Sequence, residues 1–358
     1  MGATQIIAFA LQFSSSVVLA RYLTPYEMGI FAIALATTGM LSILQGIGLQ
    51  PLIVREEVLT EGLLRTAFTF NALTQLLISA GTAICAFLVS KLMREEAIKD
   101  VMLVLALSPL FGIFSFLPGA QLERHGKFKT IALISVSTSV VGAASTIVLA
   151  ILNFKFMSLA YSGVLSSATL ATLFVVAGRS YFACRFGISA WKRVLDFGVQ
   201  MLAISSLTAF SQRLCDVLLG RLLDLSALGL YNRASSLNST LWGNINYLLS
   251  RIILVDFALV HREGKSLHSR YLRAMAVVTG ALWPAFAGLA VIAEPFITTV
   301  YGKRWVDASA PLRLLALASL IQVGISMSWE VFTITGNLRV QTRLEAVRTP
   351  WTCTTSSG

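Results

Sequence analysis

About ten stretches of this chain are apolar over a length that crosses a bilayer, and they leave few folds open. They fall near residues 3–20, 28–51, 66–90, 100–120, 130–152, 157–178, 197–220, 227–250, 274–301 and 311–334. A hydrocarbon core of about 30 Å needs roughly 20 residues of helix. Lipid offers backbone groups no partner, so a spanning segment is a helix or a strand of a closed barrel. Runs this long, without short alternating strands, predict helices. With 56% hydrophobic and 13% charged residues and a mean hydropathy of +0.77, the chain lacks the polar residues of a soluble surface. The expected class is therefore an all-α polytopic membrane protein. The first span has no basic lead and runs straight into a repeated unit, which is unlike a cleaved signal peptide.

That repeat is the second constraint. RYLTPYEMGIFAIA at residues 21–34 is echoed by RLLDLSALGLYNRA at residues 221–234, each at the end of an apolar span. Identities at this offset of 200 include Gln12/Gln212, Val17/Val217, Leu19/Leu219, Arg21/Arg221, Leu23/Leu223, Gly29/Gly229 and Ala34/Ala234. Two similar helical bundles in one membrane protein are the mark of a transporter, because they can rock about a shared site. Spans 1 and 7 are expected to be equivalent, with Arg21 matching Arg221.

The charges set an orientation. With the N-terminus in the cytoplasm, the cytoplasmic loops hold roughly twice as many Lys and Arg as the outer loops. The same distribution disposes of a nucleic-acid reading of the net charge of +11, since the basic residues are spread over alternate short loops. A loop between Gly178 and Asp196 is expected to be a cytoplasmic connector with an amphipathic interfacial segment around residues 191–194.

No catalytic or metal signature stands out. Cys85, Cys184, Cys215 and Cys353 lie far apart without CxxC spacing, which indicates neither a disulfide framework nor a metal site. His125, His261 and His268 fall in basic loops as solvated polar residues. Neither a nucleophile elbow nor a phosphate-binding loop nor HExxH is present, and nothing calls for a cofactor. A membrane enzyme such as a polysaccharide polymerase or ligase would need a large outer loop carrying acids or arginines, and the outer loops are short.

Polarity inside the apolar spans is informative instead. Ser205, Thr208, Gln212 and Asp216 stand at i, i+3, i+7 and i+11, one stripe on one helical face. Gln5, Gln12 and Ser16 occupy the same register in the first span. Lipid penalises such lines, so they face a bundle interior or a watery cavity. Arg213 stands beside the stripe within reach of Asp216, as a structural ion pair or as part of substrate or ion handling. Asn232 and Arg233 add polarity at the start of the eighth span, at the interface or in the cavity. Glu330 is an isolated acid deep in the tenth. Asn71 and Gln75, i and i+4 on the third, are expected to bond to neighbouring helices. Glu294-Pro295 and residues 301–305 (YGKRW) look like a helix exit with aromatic and basic interface anchors.

Residues 21–34, residues 220–231 and the run from Ala293 to Trp305, in that order and with that spacing, resemble the polysaccharide-transporter branch of the MOP flippase superfamily. That superfamily also holds MATE drug exporters and lipid II flippases. The resemblance covers nearly residues 3–338. It implies a MATE-like pair of six-helix bundles working by alternating access, and as cargo an undecaprenyl-diphosphate type oligosaccharide carried from the inner to the outer leaflet of a bacterial cytoplasmic membrane. On that footing Arg213 and Arg233 are candidates to attract the diphosphate, and Asp216 and Glu330 are candidates for ion coupling. Ser205, Thr208, Gln212, Asn232 and Asp216 would line the substrate cavity. The implied partners are the bilayer, the lipid-linked glycan, and polysaccharide polymerase and export machinery. A multidrug exporter is the alternative within the superfamily.

Family members have twelve to fourteen spans, whereas residues 339–358 are polar and aperiodic. The expected organisation is a six-helix bundle over 1–178, a connector over 179–196, a partial bundle of about four helices over 197–338 and an atypical tail over 339–358. The tail reads as a truncated or frameshifted end in which the last helices are missing.

Overall fold

A computed structural model describes residues 2–56, 59–181, 186–199, 202, 224–242 and 267–325. All regular structure among them is helical. Helix α1 spans Gly2–Tyr22, α2 Pro25–Ser42, α3 Leu49–Arg55, α4 Glu61–Met93, α5 Glu96–Leu105, α6 Ser108–Arg124, α7 Phe128–Ile151 and α8 Met157–Ala177. Residues 191–199 form α9 and residues 225–242 form α10. They are followed by α11 (Leu267–Val291), α12 (Ala293–Val300), a 3₁₀ turn (Lys303–Ala308) and α13 (Ser309–Ile325). Seven of the described helical segments are long and apolar enough to cross a membrane. Ser205, Thr208, Gln212, Arg213, Asp216 and Glu330 lie outside the described residues.

Local chemistry explains where the repeated motif begins. Thr24 is the N-cap of α2, and its hydroxyl accepts from the backbone N–H of Glu27 while the Glu27 carboxylate accepts from the N–H of Thr24 at 2.8 Å. Pro25 at the first helical position lacks an N–H that would have gone unpaired. This capping box satisfies two orphan donors at once. Asp224, another good capping residue, stands directly before α10 in the second copy.

Three expected continuous spans are broken. The span near 28–51 is interrupted by a 3₁₀ turn over Ile43–Ile47 and by Gly48, whose φ of 69° is left-handed. The span near 100–120 divides at Ala106 and Leu107 into α5 and α6, since Pro109 in the first turn of α6 cannot donate the bond that would continue α5. The span near 274–301 divides at Ile292, with Pro295 likewise in the first turn of α12. Hydropathy registers length and not backbone geometry, so these breaks are invisible to it.

The chain forms two compact units, Met1–Ser226 and Ala227–Gly358. In the first unit α7 packs on α1 and α8, α6 lies against α8 and α4, and α5 bridges α2 and α4. Small and branched residues fill the contacts, with Ile53, Ala67, Phe68, Leu117 and Ala120 making one cluster. Helix α4 has 33 residues, about 50 Å at 1.5 Å per residue. Its Leu73, Leu76, Leu77, Ile84, Phe87 and Leu88 are each more than half exposed, a surface suited to lipid rather than water.

Residues 186–199 are held to the first unit by both apolar and polar contacts. Val194 of α9 is buried against Leu49, Leu52 and Leu63. The N–H groups of Gly187 and Ala190 donate to the hydroxyls of Thr69 (2.9 Å) and Thr66 (3.2 Å). Arg193 pairs with Glu56. Phe186, Ile188, Trp191 and Val199 remain exposed.

The second unit repeats the succession of the first: a long helix (α11 for α4), a short one (α12 for α5), a turn, then a third (α13 for α6). Its helices are joined by polar contacts, with Asn238 donating to the Ser319 hydroxyl at 2.9 Å and Trp283 Nε1 to the Leu320 carbonyl at 3.0 Å.

Candidate functional site

The break in the second span creates the site. Once α2 ends at Ser42, the chain turns through Gly46 and Gly48 before α3 begins, and this QGIGLQ segment leaves Gln45 and Gln50 flanking the turn. Behind it, α4 and α6 contribute inward-facing polar residues. The result is a cavity of about 840 Å³ inside the first unit.

Its polar lining consists almost wholly of carboxamides and hydroxyls. Asn71, Thr74 and Gln75 of α4 are each less than a tenth exposed. Gln45 Nε2 donates to Gln75 Oε1 at 3.2 Å, and Asn71 Nδ2 donates to the carbonyl of Gly112 at 3.4 Å. Thr74 returns its hydroxyl to the Phe70 carbonyl at 2.8 Å. Gln50 Nε2 donates to Glu123 Oε2 at 2.5 Å. Gly112 has a steric purpose, because a Cβ there would lie 2.6 Å from Gln75 Nε2. Phe116 closes part of the wall, and among the described residues the lining holds one carboxylate and neither Lys, Arg nor His. Arg124, next in sequence to Glu123, instead donates to the carbonyls of Ile53 (2.7 Å) and Glu56 at the end of α3.

The expected hydrogen bonding of Asn71 and Gln75 to other elements is present, and both residues also line the cavity. Gln45, Gln50, Ser115 and Glu123, which also line it, were not singled out from sequence. A signal existed: two glycines flanked by glutamines inside an apolar span mark a discontinuous helix, and such helices build transporter sites.

In the second unit the structure places Arg233 differently from an interfacial residue. It is 4% exposed, with its guanidinium carbon 4.9 Å from the centre of the Tyr301 ring and 5.1 Å from that of Trp305. Both rings are buried, so Tyr301 and Trp305 are core residues rather than interface anchors. Gly302 makes this possible. Its φ of 97° and ψ of 169° suit glycine alone, and the turn, closed by Trp305 N–H to the Gly302 carbonyl at 3.1 Å, brings the second ring back beside the first. Asn232, the neighbouring candidate, is half-buried.

Comparisons with known proteins agree with this architecture. A family model described as polysaccharide biosynthesis protein matches residues 18–310. The lipopolysaccharide biosynthesis protein WzxC of Escherichia coli is 24% identical over 332 residues, covering 88% of this chain and 65% of that protein. The succinoglycan biosynthesis transport protein ExoT of Rhizobium meliloti is 28% identical over 322 residues, covering 87% and 63%. The chain thus spans slightly less than two thirds of the length of these two relatives. Among solved structures, the lipid II flippase MurJ in an inward closed conformation superposes with a TM-score of 0.76 at 14% identity, covering 93% of this chain and 75% of that one. An inward-facing MATE multidrug transporter of the MOP superfamily gives 0.63 at 16% identity, covering 91% and 83%. At such identities the likeness establishes the fold.

Proposed function

The chain belongs to the polysaccharide biosynthesis protein family, and from that premise we propose that it is a flippase moving a lipid-linked oligosaccharide from the inner to the outer leaflet. It is a multi-pass membrane protein of MOP-type fold. The observation that carries the reading is the polar cavity of about 840 Å³ within a unit whose helices are long, apolar and lipid-suited outside. Such a combination shelters a hydrophilic headgroup while its lipid tail stays in the bilayer. The relatives named for polysaccharide biosynthesis and transport support this cargo, and they favour a transporter over an enzyme.

The proposed setting is a bacterial cytoplasmic membrane with the N-terminus inside, as the Lys and Arg distribution favours. The proposed route is alternating access between two duplicated bundles, with Asp216 or Glu330 coupling the step to an ion gradient and Arg213 attracting the diphosphate. Polymerase and export machinery would receive the product. Arg233, held between Tyr301 and Trp305, suits a structural role better than a share in the diphosphate site.

The test is a proteoliposome assay in which an undecaprenyl-diphosphate oligosaccharide, placed on one leaflet, is read by lectin on the other. Protein-dependent appearance of glycan above the empty-liposome rate is expected. No appearance, together with drug resistance conferred on a susceptible host, would replace the reading by that of a drug exporter.

A further inference from the structure

We infer that the cavity of the first unit is a subsite for the hydroxyl-rich sugar part of the cargo and excludes its diphosphate, an inference that rests on the flippase reading. The lining chemistry carries it. Gln45, Gln50, Asn71 and Gln75 present carboxamides, each with donors on one atom and acceptors on another. Neighbouring hydroxyls of a sugar also donate and accept at once, so a set of amides matches them without any net charge.

A diphosphate asks for the opposite. It offers acceptors only and carries several negative charges, and proteins meet it with Arg, Lys or clustered backbone N–H groups. Among the described residues its lining holds no cation, and Glu123 on its wall adds a negative charge that repels phosphate. Arg124 does not line the cavity and donates to carbonyls at the end of α3. Phe116 supplies a flat apolar wall against which the C–H face of a sugar ring packs. The volume falls in the roughly 300–1,000 Å³ range of small-ligand pockets, which suits a short stretch of glycan rather than a whole oligosaccharide. The charged and uncharged parts of one lipid-linked substrate are therefore handled by different residues, and the uncharged part is the one that this cavity receives.

Binding to the whole chain in nanodiscs tests this, with two probes: undecaprenyl diphosphate, and the same lipid bearing one N-acetylglucosamine. Gln45 and Gln50 are exposed at the cavity rim, so the Gln45→Ala/Gln50→Ala variant should fold as the wild type does. Gln75→Leu probes the buried wall, and its elution profile and melting temperature report its folding. Wild type is expected to bind the sugar-bearing lipid more tightly. Each variant should weaken that lipid by about tenfold, the scale set by losing one or two hydrogen bonds in a sheltered site, while undecaprenyl diphosphate changes by less than about twofold. Equal wild-type affinity for the two lipids, or variants that weaken both or neither, would overturn the subsite while leaving the flippase reading intact. Absence of both binding and proteoliposome transport in the wild type would overturn the two together.

Discussion

The same helical frame is filled in two different ways in the two units. In the first, α2 packs against α5, and Ile33, Ile98, Val101 and Met102 are all fully buried. In the second, the residue 200 places after Ile33 is Arg233, and the residue 200 places after Val101 is Tyr301. An aliphatic contact in one copy is thus replaced by a guanidinium between aromatic rings in the other. Duplicated bundles share helix order and breakpoints because those follow from caps, prolines and span length. What fills a given contact is free to diverge, provided that the partners change together. Tyr301 and Trp305 help to make a buried Arg tolerable, since the negative faces of aromatic rings attract a cation where water cannot.

The strongest way to break that comparison is to put a cation into the first unit without its rings. Ile33→Arg should destabilise by at least about 4 kcal/mol, because an uncompensated charge would be buried among aliphatics; loss of folded protein from detergent extracts measures this, and normal abundance would refute it. The next effect should come from Arg233→Ala. Losing two cation–π contacts and the packing of the side-chain stem should remove about 2–4 kcal/mol, read as a lower melting temperature. Arg233→Lys should recover only part, since an ammonium keeps the charge but not the flat stacking surface.

Gly302→Ala sharpens the comparison by attacking the turn rather than the cation. Forcing a side chain into a backbone region that suits glycine alone should lower stability by about 1–3 kcal/mol. A neutral substitution would mean that Trp305 reaches Arg233 without this turn. The smallest expected effect on stability is that of Gly112→Ala in the first unit, under about 1 kcal/mol, because the new methyl meets the movable end of Gln75 rather than backbone. Transport in proteoliposomes should nevertheless fall by roughly two- to tenfold through displacement of Gln75. Unchanged transport would argue against a cargo role for this wall.

Much of the candidate site was legible once the right pattern is sought. Asn71 and Gln75 stand out as amides at i and i+4 in an apolar span, and they bond to Gly112 and Gln45. Gln45 and Gln50 are hidden because a hydropathy window averages the glycines between them into one continuous span. Glu123 gives no signal because it lies near a helix end beside Arg124, where solvated charge is the ordinary expectation. The burial of Tyr301 and Trp305 is hidden for a similar reason: aromatic residues beside Lys and Arg at a helix exit match interface anchors, and nothing within those five residues points to Arg233, 68 positions earlier.

By itself the sequence determined the class, the duplication and the helix starts, because each depends on local chemistry. Spans of lipid-compatible length must be helical, a Thr-Pro-x-Glu run caps a helix wherever it stands, and a repeated motif declares a repeated unit. Tertiary structure alone decided that the second span breaks into a cavity wall, that four amides from three segments line one space, and that an arginine and two aromatic rings share a core. Those outcomes depend on which faces meet across distant helices, and apolar helices that are greasy on every side carry little record of their neighbours in the order of their residues.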